Sequence, residues 1–163
     1  MGWVEIFFWA VFIALSAIIT LIDAKSYRIP NKLVLILGAV GLCAVVILWR
    51  ENFGAHLIAA IVTLVIGYLL YQFTGFGAGD AKYFAAIMLW FGPGGALLLL
   101  YWFGVFCAVL VVILIIGRRL SDRAKFGLKN WRPMQKDAPV PLALAIGPAA
   151  IVSCLMLANG FAL

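Results

Sequence analysis

The chain has few ionisable side chains, and their scarcity narrows its possible functions. Its 163 residues include six Asp and Glu, one histidine and three cysteines, with no CxxC pair. Metal ligation needs clustered thiolates or imidazoles, so we expect neither a metal site nor a cofactor. We expect the single histidine, His56, to form a helix–helix hydrogen bond. The cysteines lie in apolar stretches, where they serve as small packing residues.

Apolar residues dominate what is present. The chain is 67% hydrophobic and 11% charged, with a mean hydropathy of +1.18, which excludes an ordinary soluble protein. The first apolar stretch carries Glu5 and no cleavage site, so it predicts a permanent span rather than a signal peptide. The composition predicts an all-α polytopic membrane protein, with one transmembrane domain over residues 1–163. Six spans are predicted, at residues 3–22, 33–49, 54–76, 81–91, 96–116 and 140–162.

The uncharged stretch from 83 to 117 has to be divided. As one helix it would measure about 52 Å, whereas the hydrocarbon core of a bilayer is about 30 Å thick. The run Gly92-Pro93-Gly94-Gly95 is a strong helix breaker and predicts a turn between two spans. The helix from Asp80 to Phe91 is then only about 18 Å long. We therefore expect Asp80 to lie below the cytoplasmic surface, in a wet recess.

The distribution of basic residues predicts the orientation. In the six-span arrangement the loops 23–32, 74–82 and 117–138 share one side, and both termini lie on the other. The first two loops carry four Lys and Arg and the third carries seven, against Arg50 alone on the opposite side. The three loops are therefore predicted to be cytoplasmic. Loop 117–138 is expected to lie against anionic lipid, and no nucleic-acid motif accompanies its charge.

Two of the acidic residues lie where an apolar stretch meets a polar loop. Asp23 opens the sequence DAKSYRIPN at the predicted cytoplasmic end of the first span. Asp80 lies in GFGAGDAK, whose glycines permit a positive φ and close approach of another backbone. Taken singly, each motif also fits an ordinary polar helix end or a helix cap. An ionisable residue at a span is nevertheless a functional-site hypothesis by default.

The predicted topology places both carboxylates on the cytoplasmic face, where they would form a pair. Such a pair suits hydrolysis of a peptide bond, with one carboxylate activating water and the other donating a proton to the carbonyl oxygen. Asp23 lies at a helix C-terminus, which disfavours a charged carboxylate, and Asp80 at an N-terminus, which favours it. We therefore expect Asp23 to hold the shared proton and Asp80 to stay ionised, although the two titrate as one unit.

These residues resemble the paired signature of the type IV prepilin peptidases, which are membrane aspartyl proteases of the GxGD type. The resemblance rests on DAKSYRIPN followed by GAGDAK, and extends to YFAAIMLWFGP at 83–93 and APVPLALAIG at 138–147. It implies that Asp23 and Asp80 form the catalytic dyad. It also implies a substrate, a pilin-like precursor whose leader is cut at the cytoplasmic face of the inner membrane. The residues implied to shape the site are Arg28, Pro30, Asn31, Gly77, Gly79 and Lys82.

The chain departs from the larger bifunctional members of that family. Those members carry a cytoplasmic segment with paired CxxC motifs and also methylate the new N-terminus, and this chain has neither segment nor motif. It resembles the small members that act only as peptidases, such as those of tight-adherence (Flp-type) pilus systems. We therefore expect no methyltransferase activity.

Two other functions are alternatives at this point. Intramembrane proteases of the presenilin or signal-peptide-peptidase type share GxGD, but pair it with a Tyr-Asp and a Pro-Ala-Leu segment that this sequence lacks. A non-catalytic transporter or assembly component would use Asp23 and Asp80 to bind ions or relay protons. Against that alternative, no charged residue lies in the middle of a span to continue a path.

Overall fold

The computed structural model describes residues 2–74, 76–123 and 141–159. Within these ranges every regular element is helical, as expected where lipid offers the backbone no hydrogen-bond partner. The elements are α1 (Trp3–Ser26), α2 (Asn31–Leu48), a 3-10 turn (Arg50–Asn52), α3 (Phe53–Thr74), α4 (Ala78–Arg123) and α5 (Ala143–Ala158). Four of these helices, α1 to α4, are long and apolar enough to cross a membrane, and α5 is a shorter apolar helix of 16 residues.

Helix α4 is broken where the sequence predicts a turn. Gly92 has φ 59° and ψ −170°, a backbone conformation open almost only to glycine. Pro93 follows, in the first turn of a new helical segment where its missing N–H does no harm. We call residues 78–91 the first arm of α4 and residues 93–123 the second arm.

The second arm corrects one predicted boundary. The loop expected at 117–138 begins later, because α4 continues to Arg123. Arginine and leucine are good helix formers, so the stretch after the apolar run extends the helix rather than ending it. The rest of the predicted basic loop, from residue 124, lies outside the described residues, as does the end of the predicted span 140–162.

His56 supplies a hydrogen bond that the break in α4 removes. The carbonyl of Leu89 would accept from the N–H four residues later, but that residue is Pro93, which has none. The Nδ1 of His56 in α3 lies 2.8 Å from this carbonyl oxygen, and the ring packs against Gly92. The predicted helix–helix hydrogen bond of His56 is confirmed, and it joins α3 to the break.

The core is formed by α1, α2, the first arm of α4, and α5, which pack closely at small residues. The Trp90 side chain is 1% exposed, and its indole N–H donates to the Leu37 carbonyl at 3.0 Å. The ring lies directly over Gly41, where a Cβ would come within 2.6 Å of the indole nitrogen. Between α1 and α5, Gly147 leaves the space that the Thr20 hydroxyl occupies. Aromatic side chains near the start of α1 surround Trp90, including Phe12 at a centroid distance of 5.1 Å.

We expect His56→Leu to lower the free energy of unfolding by about 1–3 kcal/mol, because it leaves the buried Leu89 carbonyl without its side-chain donor. Thermal unfolding of the purified protein in detergent would measure the loss. Thr63→Val is the matched control on the same helix, since the Thr63 hydroxyl bonds only within α3, to the Ala59 carbonyl at 2.8 Å. Equal losses in the two variants would contradict this role for His56.

Candidate active site

Asp23 is held in the last turn of α1 by a tight connection to α2. Tyr27 adopts the left-handed conformation with φ 54°, and its N–H donates to the Asp23 carbonyl at 2.8 Å. Pro30 immediately precedes α2, and its carbonyl accepts from the N–H groups of Leu33 and Val34. Asp23 itself is only 5% exposed. The connection therefore fixes a buried carboxylate at the end of α1.

Asp80 is positioned by the start of α4, in the first helical turn. Its carboxylate folds back over Gly77, where a Cβ would collide with Oδ2. Gly79 meets Ile29 from the α1–α2 connection, and a Cβ there would lie 3.2 Å from the Ile29 Cβ. Neither glycine has a positive φ, and the atoms that approach them belong to side chains rather than to another backbone, so both predicted reasons for these glycines are corrected. Gly75 lies outside the described residues.

The two motifs meet, as the predicted pairing required. The charge of Asp23 acts on Asp80, Ile29 packs on Gly79, and the Lys82 ammonium donates to Asn31 Oδ1 at 3.4 Å. Six predicted site residues therefore belong to one cluster or its direct contacts: Asp23, Asp80, Asn31, Gly77, Gly79 and Lys82. Pro30 sets the start of α2, beside that cluster. The Arg28 side chain is exposed, and its backbone carbonyl accepts a hydrogen bond from the Ser26 hydroxyl at 3.2 Å.

Helix α5 adds a contact to Asp23 that the motifs do not reveal. The backbone N–H of Ala143 donates to the Asp23 carboxylate, and Ala143 is the first residue of α5. A helix N-terminus and an N–H donor both favour the charged form of a carboxylate. This contact acts against the expectation that Asp23 carries the shared proton, which weighed the end of α1 and the start of α4 but not the start of α5. Burial of Asp23 has the larger and opposite effect.

Two polar side chains near Asp23, those of Tyr83 and Thr20, were also missed. Tyr83 is fully buried, lies within reach of the charge of Asp23, and donates its hydroxyl to the Ser16 carbonyl at 3.3 Å. Thr20 donates to the same carbonyl at 2.8 Å. The segments 83–93 and 138–147 signalled that Tyr83 and Ala143 belong to the resemblance, but no pattern in the sequence assigned them to Asp23.

The arrangement can carry acid–base chemistry. Two carboxylates in one partly buried site repel each other when both are charged, so such a pair favours sharing one proton. It then offers a base and an acid side by side, which hydrolysis by an activated water needs. Among the residues that the structure describes, no three His, Cys, Asp or Glu side chains cluster as a metal site would require.

Comparison with known proteins agrees with this geometry. The sequence profile of the Type IV leader peptidase family matches residues 10–116, about two thirds of the chain. The chain belongs to this family. The expected relationship to the prepilin peptidases is thereby confirmed, and the protein is a leader-peptidase-type protease with several apolar helices, typical of a multi-pass membrane protein. The match includes both aspartates. Searches of curated proteins and of solved structures gave no match.

We expect Gly77→Ala to lower peptidase activity by about 100-fold, because the added methyl displaces the Asp80 carboxylate and small misplacements of reacting groups cost that much. Gly94→Ala is the matched control, since a Cβ there meets nothing within 4 Å. Activity on a leader-bearing precursor and the unfolding temperature should be measured for both variants. Wild-type activity in Gly77→Ala would show that the close approach of Gly77 and Asp80 does not matter for the reaction.

Proposed function

We propose that this protein is a prepilin leader peptidase, which cuts the leader from pilin-like precursors with Asp23 and Asp80 as its catalytic dyad. The observation that carries the proposal is the approach of the two carboxylates from separate motifs, supported by the Ile29–Gly79 and Asn31–Lys82 contacts. A chain with only six acidic residues has brought two of them together despite their repulsion. Holding two carboxylates close together lowers the stability of the fold, and such arrangements are typical of sites that serve a reaction.

In the proposed mechanism Asp23 is the base and Asp80 carries the shared proton. The N–H of Ala143 supports this assignment, because it offsets part of the cost of a charged carboxylate in the buried position of Asp23. Asp23 takes a proton from water as the water oxygen attacks the scissile carbonyl carbon, and Asp80 gives its proton to the carbonyl oxygen. The tetrahedral intermediate collapses when the Asp23 proton passes to the leaving nitrogen and the C–N bond breaks. Asp80 recovers its proton from the intermediate's hydroxyl.

The other site residues have supporting roles in this proposal. Lys82 and Asn31 join the start of α4 to the start of α2, and so hold the two carboxylate-bearing segments together. Gly77 and Gly79 allow the close contacts, and Pro30 sets the angle at which α2 begins. The exposed Arg28 is proposed to contact lipid head groups beside the site.

We further propose the six-span topology, as one transmembrane domain of the inner membrane with the dyad at the cytoplasmic face and the N-terminus outside. Each arm of α4 crosses once, and α5 completes the bundle. The spacing along α1 supports this placement, because Glu5 and Asp23 are 18 residues apart, about 27 Å of helix. That length is close to the thickness of the hydrocarbon core. The leader of the precursor would then meet the dyad from the cytoplasm.

Co-expression with a candidate pilin precursor tests the dyad. We expect Asp23→Asn and Asp80→Asn each to reduce leader removal by about two to four orders of magnitude, the usual contribution of a general acid or base. Glu51→Gln is the control, because it removes one exposed negative charge remote from the site. Immunoblots should confirm equal membrane insertion. Normal cleavage by either aspartate variant would refute the dyad.

Cysteine labelling in intact cells tests the topology. Lys25→Cys and Lys32→Cys should react with a membrane-impermeant maleimide only after the cells are opened, whereas Glu51→Cys should react in intact cells. All three positions are exposed, so protection reports the side of the membrane rather than burial. Labelling of Lys25→Cys in intact cells would reverse the proposed orientation.

A further inference from the structure

A cavity lies at the opposite end of α1 from the dyad. Its volume is about 490 Å³, within the range of sites that hold small ligands. It opens between the start of α1, the start of α3 and the turn in α4. The lining residues used below are Glu5, Trp9, Trp49, His56, Trp90 and Phe91. It shares no residue with the proposed active site, and its proposed use does not depend on the peptidase reaction.

The Glu5 carboxylate is the charged group in the lining of this cavity, beside the polar side chains of His56 and Asn52. Glu5 is half-buried, and among the described residues it has no ion-pair partner. The Nδ1 of His56 lies against the Leu89 carbonyl oxygen and donates to it, and the other ring nitrogen, Nε2, packs against Gly92. The His56 side chain is 7% exposed. A partly buried carboxylate and a buried imidazole thus line the same space.

The remaining walls are aromatic. Trp49 stacks on His56 at a centroid distance of 5.5 Å with 12° between the rings, and Trp9 lies 5.6 Å from Trp49. Trp90 and Phe91 extend the wall. The Trp90 N–H is already used by the Leu37 carbonyl, so this indole presents no free donor. Aromatic faces and a carboxylate both attract cations and repel anions.

We propose that this cavity binds a primary ammonium group, either of a small free amine or of an ethanolamine lipid head group. The ammonium is held between the Glu5 carboxylate and the tryptophan rings. Its N–H groups donate to the carboxylate oxygens. A neutral alcohol of the same size lacks the charge that Glu5 and the rings require.

The test is a titration of the full chain in nanodiscs of phosphatidylglycerol. Ethanolamine is added and tryptophan fluorescence is followed, since three of the six tryptophans line the cavity. We expect saturable binding, with ethylene glycol giving none. Glu5→Gln should weaken binding at least tenfold, because it removes the charge and keeps the shape.

Glu51→Gln is the matched control, because Glu51 is an exposed acid at the same end of the molecule and does not line the cavity. It should bind ethanolamine as the wild type does. Phosphatidylethanolamine in the discs distinguishes the two sources. If it weakens ethanolamine binding, the lipid head group is the ligand, and undiminished binding identifies a free amine. Absent saturation, equal binding of ethylene glycol, or unchanged affinity in Glu5→Gln would overturn the proposal.

Discussion

Within an apolar bundle, every backbone carbonyl that loses its helical partner must find another. The break in α4 leaves the Leu89 carbonyl without its helical donor, and the imidazole of His56 replaces that donor. The break is therefore a defined turn joined to α3 rather than a loose kink. Because the turn is fixed, so is the length of the first arm, and with it the position of Asp80.

At the end of the bundle that carries Asp23 and Asp80, the helices pack closely against small residues. Gly79 lets Ile29 approach the start of α4, and Gly147 lets Thr20 approach α5. These contacts bring three separate parts of the sequence to one place: the end of α1, the beginning of α4 and the beginning of α5. The N–H of Ala143 is useful to Asp23 only because α5 begins there. The shape of the candidate site is thus a consequence of where helices begin and end.

Much of this arrangement could be predicted from the sequence, because its clearest patterns have direct physical consequences for the backbone. Long uncharged runs predict membrane-spanning helices, and Gly92-Pro93 predicts a break. The paired aspartate motifs indicated the family and predicted that Asp23 and Asp80 lie near each other. The proton assignment was argued from the end of α1 at Asp23 and the start of α4 at Asp80. It missed the start of α5, whose residues lie about 120 positions from Asp23 in the sequence. The continuation of α4 to Arg123 was missed because charge was taken as the end of a helix, although arginine is a good helix former.

The corner between α1 and α2 has a consequence for entropy. Tyr27 holds a left-handed backbone that favours glycine, and Pro30, three residues later, has its φ fixed by its ring at −69°. Two of the few residues in this connection therefore have little torsional freedom in the folded protein. A glycine-rich connection would keep more torsional freedom, part of which would be lost when the connection was ordered. Here that ordering is complete when the chain folds, so less freedom is lost at the moment of binding.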